Sequence, residues 1–280
     1  SWRSTPCRSC SCRGALSNSA SSARPSSNAI AEHLDGILGT ASVPDYPPAL
    51  NGLQVANRGP VRKIATAVDA SLRTIEGAIA ADANLLIVHH GLFWSGVQRL
   101  VGHRYERLRL LLEHDVAVYS SHLPLDRHPT LGNNALLARA LGLEPTGEFA
   151  RYESISVGVR GEDTRPTAEI VDAARAFARQ YGGTTHTSAI APGRVTRRWG
   201  ICTGAGASAE TLDEATALGL DTLIVGEGPH WTAVAAPELG LVIIYAGHYA
   251  TETLGVRALG EHVSQTFGIP WTFIDAPTGT

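Results

Sequence analysis

The 280-residue chain has no methionine, and Lys63 is the sole lysine among 23 basic side chains. An arginine bias of this kind reads as GC-rich coding or heat adaptation and says nothing of function. Nothing in the physical chemistry of folding asks for a chain without methionine. No apolar run reaches the roughly 18 residues of a membrane span, so no membrane partner is expected. A charge imbalance is missing too. The net charge is −3, with acids and bases interspersed. That argues against a strongly basic nucleic-acid surface, although it leaves room for a local patch. Cysteine is scarce: Cys7, Cys10 and Cys12 crowd one end and Cys202 stands alone. The C-x-x-C-x-C run lacks the second pair that would complete a sulfur-rich zinc set. A reducing compartment, taken as cytoplasmic, fits better than a disulfide framework. There is no G-x-S-x-G elbow, which speaks against a serine hydrolase. The run Gly204-Ala-Gly-Ala-Ser-Ala-Glu210 imitates part of a phosphate loop but lacks its Lys-Ser/Thr.

What is present is enough apolar sequence, 44%, for a sizeable core. Residues 1–28 are rich in Ser, Arg, Cys and Ala and hold no acid. They read as a disordered tail or mis-assigned start, or else as a transit-type leader. From Ala29 a regular alternation begins. A helix is expected around Ala31–Gly39, then a Pro-rich loop over Val43–Pro48. Strands are expected at Lys63–Val68, Leu85–Val88 and Val116–Ser120, with helices at Leu72–Ala81, Tyr105–His114 and Asn133–Leu141. The order then recurs. Arg151–Val159 opens a second series of strands, followed by Trp199–Thr203, Asp221–Val225 and Leu241–Ala246. Helices are expected at Ser208–Leu218 and from an N-cap at Thr251 to Phe267, with Glu252 in the first turn. Arg62–His90 can be laid over Arg197–Glu227, and Val118–Asp126 over Ile243–Glu252. The fold class expected is α/β, with two similar α/β halves from an internal duplication. The halves are 29–148 and 149–280, with the C-terminal segment free to pack back on the first.

Metal-ligating side chains gather at the expected strand ends, where α/β sheets place their sites. His89 and His90 follow Asn84-Leu-Leu-Ile-Val88. His122 and Asp126 follow Val118-Tyr-Ser120. His248 and Glu252 follow Leu241–Ala246. One H-x-x-x-D in a loop means little. Its recurrence as H-x-x-x-E at the equivalent place in the other half points to a shared site. Imidazole with carboxylate suits two divalent ions drawn from Zn, Fe, Mn or Ni.

The motifs NGLQV (51–55), VHHGLFW (88–94), SHLPLD (121–126), GNNALLARALGL (132–143), GEGPH (226–230) and GHYATETLGVRALGEHV (247–263) resemble the Nif-three-like family. Its members are often labelled GTP cyclohydrolase 1 type 2 homologs. The resemblance spans roughly residues 45–275 and the short form of the family, without an inserted domain. It implies a two-domain α/β fold, a dinuclear metal site between the halves and a ring-shaped homohexamer. Carried over by motif, His89, His90, Asp126, His248 and Glu252 are the ligands, with Glu252 a plausible bridge and His122 beside the metals. One departure is Trp231, where the family often has a second histidine after GEGPH. The expected function is a metal-dependent hydrolase of a small-molecule or nucleotide-like substrate, with His122, Glu227 and His230 as candidates to move protons. The alternatives are a non-catalytic metal-binding or regulatory ring that holds a protein or nucleic-acid partner, and metal storage or delivery.

Overall fold

The structure is a computed structural model and describes residues 24–279. Its elements alternate as the hydrophobic pattern requires. In the first series come α1 (Ser27–Leu38), β1 (Gly52–Val55), β2 (Ile64–Asp69), α2 (Leu72–Ala80), β3 (Leu85–His90), α3 (His103–Glu113), β4 (Ala117–Ser120), α4 (Leu123–Asp126) and α5 (Asn133–Ala140). The second series has β5 (Gly147–Tyr152), β6 (Ile155–Glu162), α6 (Thr167–Gln180), β7 (His186–Thr187), β8 (Arg198–Cys202), α7 (Ala209–Ala217), β9 (Thr222–Val225), α8 (His230–Glu238), β10 (Val242–Tyr245), α9 (His248–Phe267) and β11 (Trp271–Phe273). They form two sheets, ordered β1-β4-β3-β2-β11 and β5-β6-β8-β9-β10-β7.

The duplicated unit is a run of three parallel strands joined by helical crossovers. In the first sheet it is β2, β3 and β4, and in the second β8, β9 and β10. Helices cover both faces, so the central strands are buried throughout and read as continuous apolar runs. Leu85 to Val88 and Leu223 to Val225 are almost wholly inaccessible. The helices α2 and α7 also begin alike. Ser71 and Ser208 are their N-caps, each in a capping box closed by a threonine, Thr74 or Thr211.

Packing does not follow chain order. From α9, Val256, Leu259 and Val263 join the core of the first sheet with Ile64, Leu85 and Ile87. The strand β11 pairs in parallel with β2. From α5, Leu137 and Ala138 join Trp199, Ile201 and Ile244 in the core of the second sheet. Each sheet is therefore covered by a helix that the other series supplies.

Several elements differ from the sequence reading. Ser26 caps α1 and Ser27 is buried, so the fold begins a few residues before Ala29. Cys7, Cys10 and Cys12 lie outside the described residues. The expected strand Arg151–Val159 is a hairpin. The chain turns through Glu153, whose φ is 46°, without the Gly or Asn that normally announces such a turn. The helices α6 and α8, and strand β1, are absent from the sequence reading. The last helix starts at His248, one turn before the expected cap. Gly247, at φ 91°, makes the turn into it, and the Thr251 hydroxyl donates to the His248 carbonyl. Glu252 is therefore in the second turn, beyond the reach of the helix-dipole argument.

The helix α9 lies close to the sheet because Gly260 lets it. A Cβ there would stand 2.5 Å from the Trp271 ring and 2.7 Å from the Thr66 methyl. Gly260→Ala gains about 1 kcal/mol of helix propensity but forces an overpacked contact that costs about 1–3 kcal/mol. Net destabilisation is expected, read as a lower urea midpoint at unchanged m-value. A midpoint at or above that of the parent would contradict this packing.

Candidate metal centre

Four histidines and two carboxylates converge where the strand ends of both sheets meet α4 and α9. Both H-x-x-x-acid motifs lie at helix starts, where four residues make about one turn and put both side chains on one face. His122 precedes α4 and Asp126 ends it. His248 opens α9 and Glu252 follows one turn later. His89 and His90 end β3, with ring centroids 4.7 Å apart. His89 Nε2 is 3.5 Å from Asp126 Oδ2 and 3.5 Å from Glu252 Oε1. The other Glu252 oxygen, Oε2, is 3.5 Å from His90 Nε2 and 3.1 Å from His248 Nε2. The Glu252 carboxylate thus lies between two sets of donors. Two groups of three, His89–His90–His122 and His90–His248–Glu252, bring a ligand atom from each member within 4.8 Å of the others.

The outer side of the centre fixes the tautomers. His89 Nδ1 donates to the Ser121 carbonyl at 2.9 Å, and His90 Nδ1 to Asp69 at 2.9 Å. His122 Nδ1 donates to Asp45 at 2.8 Å, and His248 Nδ1 to Glu227 at 2.8 Å. All four partners are acceptors without a proton, so each Nδ1 carries the hydrogen. Every Nε2 is left with a lone pair, the arrangement by which metal-binding imidazoles are oriented. His89 Nε2 and Glu252 Oε2 are buried and lack a hydrogen-bond partner. The 3.1 Å approach of His248 Nε2 to that oxygen sets lone pair against lone pair, which only a cation or a proton between them relieves. The donor set therefore fits divalent metal.

Electrostatics agree. Burial works against a charged His89, yet the neighbouring Asp126 and Glu252 outweigh it and push its pKa up to about 10. Burial likewise opposes charge on His248, and Glu252 with Glu227 raises it to about 9. For Glu252 burial favours the neutral acid, but the His90 and His89 rings hold its carboxyl well below the usual range. Two buried carboxylates demand positive charge, and protons supply it where metal does not.

The five side chains expected as ligands are brought together, with His122 beside them. The other two candidates are placed differently. Glu227 is taken up by His248. His230 opens α8 and lines a smaller pocket of about 310 Å³ with Glu227 and Tyr245. Residues that the sequence reading missed are the anchors. Asp45 accepts from Asn51 and from the Leu123 amide as well as from His122. Asn133 donates to Asp126 and accepts from the Gly255 amide, tying α5 to α9. Asn134 accepts from the Thr203 amide of the second half. Asp45 is 77 residues from the ring it holds, and no local pattern marks such a partner.

The glycine run after β8 has its explanation here. Gly204 has φ 62°, and a Cβ on it would overlap the Glu252 carboxylate. Gly204→Ala is expected to displace Glu252 and lower bound metal at least tenfold while the fold persists. Metal content by plasma emission, with circular dichroism as control, checks this. Full metal content in the variant would mean that Glu252 has freedom the geometry denies it.

Comparison with known proteins gives a consistent answer. The family model for Duf34/NIF3 (NGG1p interacting factor 3) matches residues 26–279. A GTP cyclohydrolase 1 type 2 homolog of Deinococcus radiodurans is 41% identical over 84% of this chain and 88% of its own. One from Pyrococcus abyssi is 41% identical over 89% and 98%. Among solved structures, protein ybgI, described as of unknown function, superposes with a TM-score of 0.82 at 36% identity, covering 91% of this chain and 100% of that one. TTHA1606 of Thermus thermophilus superposes at 0.76 with 33% identity, covering 91% and 100%. With this match over nearly all described residues, the chain belongs to the Duf34/NIF3 family.

Proposed function

We propose that the chain is a dinuclear metal-dependent hydrolase of a small molecule. The observation that carries this reading is the Glu252 carboxylate, with one oxygen 3.5 Å from His89 and the other 3.1 Å from His248 and 3.5 Å from His90. His89, Asp126 and Glu252 would hold one ion, and His90, His248 and Glu252 the other. Such a pair lowers the pKa of a bound water and holds an anionic substrate oxygen. The protein's own part is to orient and to exclude. Asp45 keeps the His122 ring fixed with Nε2 inward, placed to hold a proton or pass it on. Glu227 and Asp69 do the same for the orientation of His248 and His90. A cleft of about 1050 Å³, lined by both halves, leaves the centre open to substrate. An open cleft favours catalysis over a closed structural site. Among the described residues no helix is long and apolar enough to cross a membrane.

Glu252→Gln is expected to weaken both ions, whereas Asp126→Asn empties mainly one. Metal stoichiometry of the two variants checks this, and two ions of unchanged affinity in Glu252→Gln would refute the bridge. A hydrolysis screen of phosphoesters and cyclic amides on the metal-loaded protein tests the activity itself.

The family resemblance also implies a homohexamer with its clefts facing an inner cavity. The exposed side chains Val97, Leu100 and Val101 offer apolar surface that suits association. Light scattering is expected to give a mass near six chains. A stable monomer at micromolar concentration would count against the ring.

A further inference from the structure

The first turn of α9 carries His248 and begins without a cap. Gly247 precedes it and has no side chain to satisfy the free amides of that turn. The His248 side chain is 26% exposed, against 14% for His90, 10% for His122 and 0% for His89. Of the four histidines it has the most room to swing out.

What holds the turn comes from outside the helix. After β11, residues 274–279 run on without helix or strand. The Ile274 amide donates to the Thr66 carbonyl at 2.8 Å. Its side chain packs on Gly77, where an added Cβ would stand 2.6 Å away. The stretch is thus rooted in the first half. It next crosses Tyr249, the buried neighbour of His248. The Tyr249 hydroxyl donates to Asp275 at 2.7 Å and accepts from the Ala276 amide at 2.7 Å, so the phenol gives and takes a bond at once. Arg73 of α2 reaches the Asp275 and Pro277 carbonyls at 3.5 Å, the long limit of a hydrogen bond. Pro277 then lies against Gly182, just past α6 in the second half.

Two cavities meet at this crossing. Thr278 lines the large cleft and Gly279 the smaller pocket. The His248–Glu227 pair straddles the same division, with His248 in the cleft and Glu227 in the pocket. An irregular stretch fixed by a few polar contacts opens at far lower free energy than the sheets it joins.

We propose that residues 274–279 are a strap that clamps the first turn of α9 on the metal centre and, by opening, lets His248 swing aside to exchange the ion it shares with His90 and Glu252. The inference rests on the centre holding metal and is independent of hydrolysis. The test is zinc exchange on the full chain. Release is followed by the colour of excess pyridylazoresorcinol, uptake by mixing metal-free protein with zinc, and affinity and stoichiometry at equilibrium. Tyr249→Phe keeps the ring and removes both bonds, and Asp275→Ala removes one of them from the exposed side. Each is expected to speed release and uptake together by about tenfold, the scale of one or two hydrogen bonds, with affinity nearly unchanged. Asp275→Asn keeps an acceptor and should stay near the parent. The double variant should be no faster than Tyr249→Phe, because both changes undo one tie. Amide hydrogen exchange at residues 248–252 should quicken in the same variants, with circular dichroism unaltered. Unchanged exchange rates in Tyr249→Phe and Asp275→Ala would overturn the strap. So would faster release without faster uptake, since a weakened ligand set loses metal and affinity but does not load sooner. A parent that takes up no zinc would overturn this proposal and the metal reading together, whereas zinc bound and exchanged at the parent's rate in both variants removes the strap alone.

Discussion

Glu252 is a carboxylate with 3% of its side chain exposed, set where two sheets meet. An ionised carboxylate so placed is tolerable only when positive charge surrounds it, since burying it alone would cost several kcal/mol. The rest of the centre answers that constraint. Imidazole nitrogens reach it from β3 and α9, and each ring is turned toward it by an acceptor on its far side. The glycine at 204 gives the carboxylate its space. Stability and affinity for a cation would therefore be coupled here, because a cation would relieve the same burial that folding imposes.

The crossed helices make this coupling reach the whole molecule. The helix α9 carries His248 and Glu252 at its start and fills the core of the first sheet along its length. The helix α5 does the reverse, and Asn133 and Asn134 at its start are wholly buried. Their amides reach Asp126, the Gly255 amide and the Thr203 amide, so both halves are pinned within a few ångströms of the centre. An unpaired buried amide costs about 1–3 kcal/mol, which explains why these side chains belong to the site as much as to the core.

The duplication is unequal in its chemistry. His122 and Asp126 correspond to His248 and Glu252, and in both cases a carboxylate holds the histidine, Asp45 or Glu227. At the other strand end the copies diverge. The first half carries His89-His90, and the second carries Gly226-Glu227. Glu227 occupies the place that corresponds to His90 but anchors a ring. The cleft is lined by both halves, and on the first half's side by Trp94, which closely follows the histidine pair.

The sequence by itself determined the alternation of strands and helices, the duplication and the six side chains at the centre. These are local signals: apolar runs of strand length, glycine and proline punctuation, and ligand types repeated at equivalent strand ends. The final helix was legible too, but not its first turn, because Gly247 enters it at a positive φ that no pattern of side chains announces. The hairpin at Glu153 was hidden for the same reason. Only the tertiary structure decided which helix covers which sheet, that Glu227 orients and does not meet the centre, and that Asp45, Asp69, Asn133 and Asn134 hold it. Those assignments depend on contacts between residues far apart in the chain, 77 positions for Asp45 and His122 and 122 for Asn133 and Gly255. Hydrogen bonds of that span arise from packing two sheets against shared helices, a geometry that no local periodicity encodes.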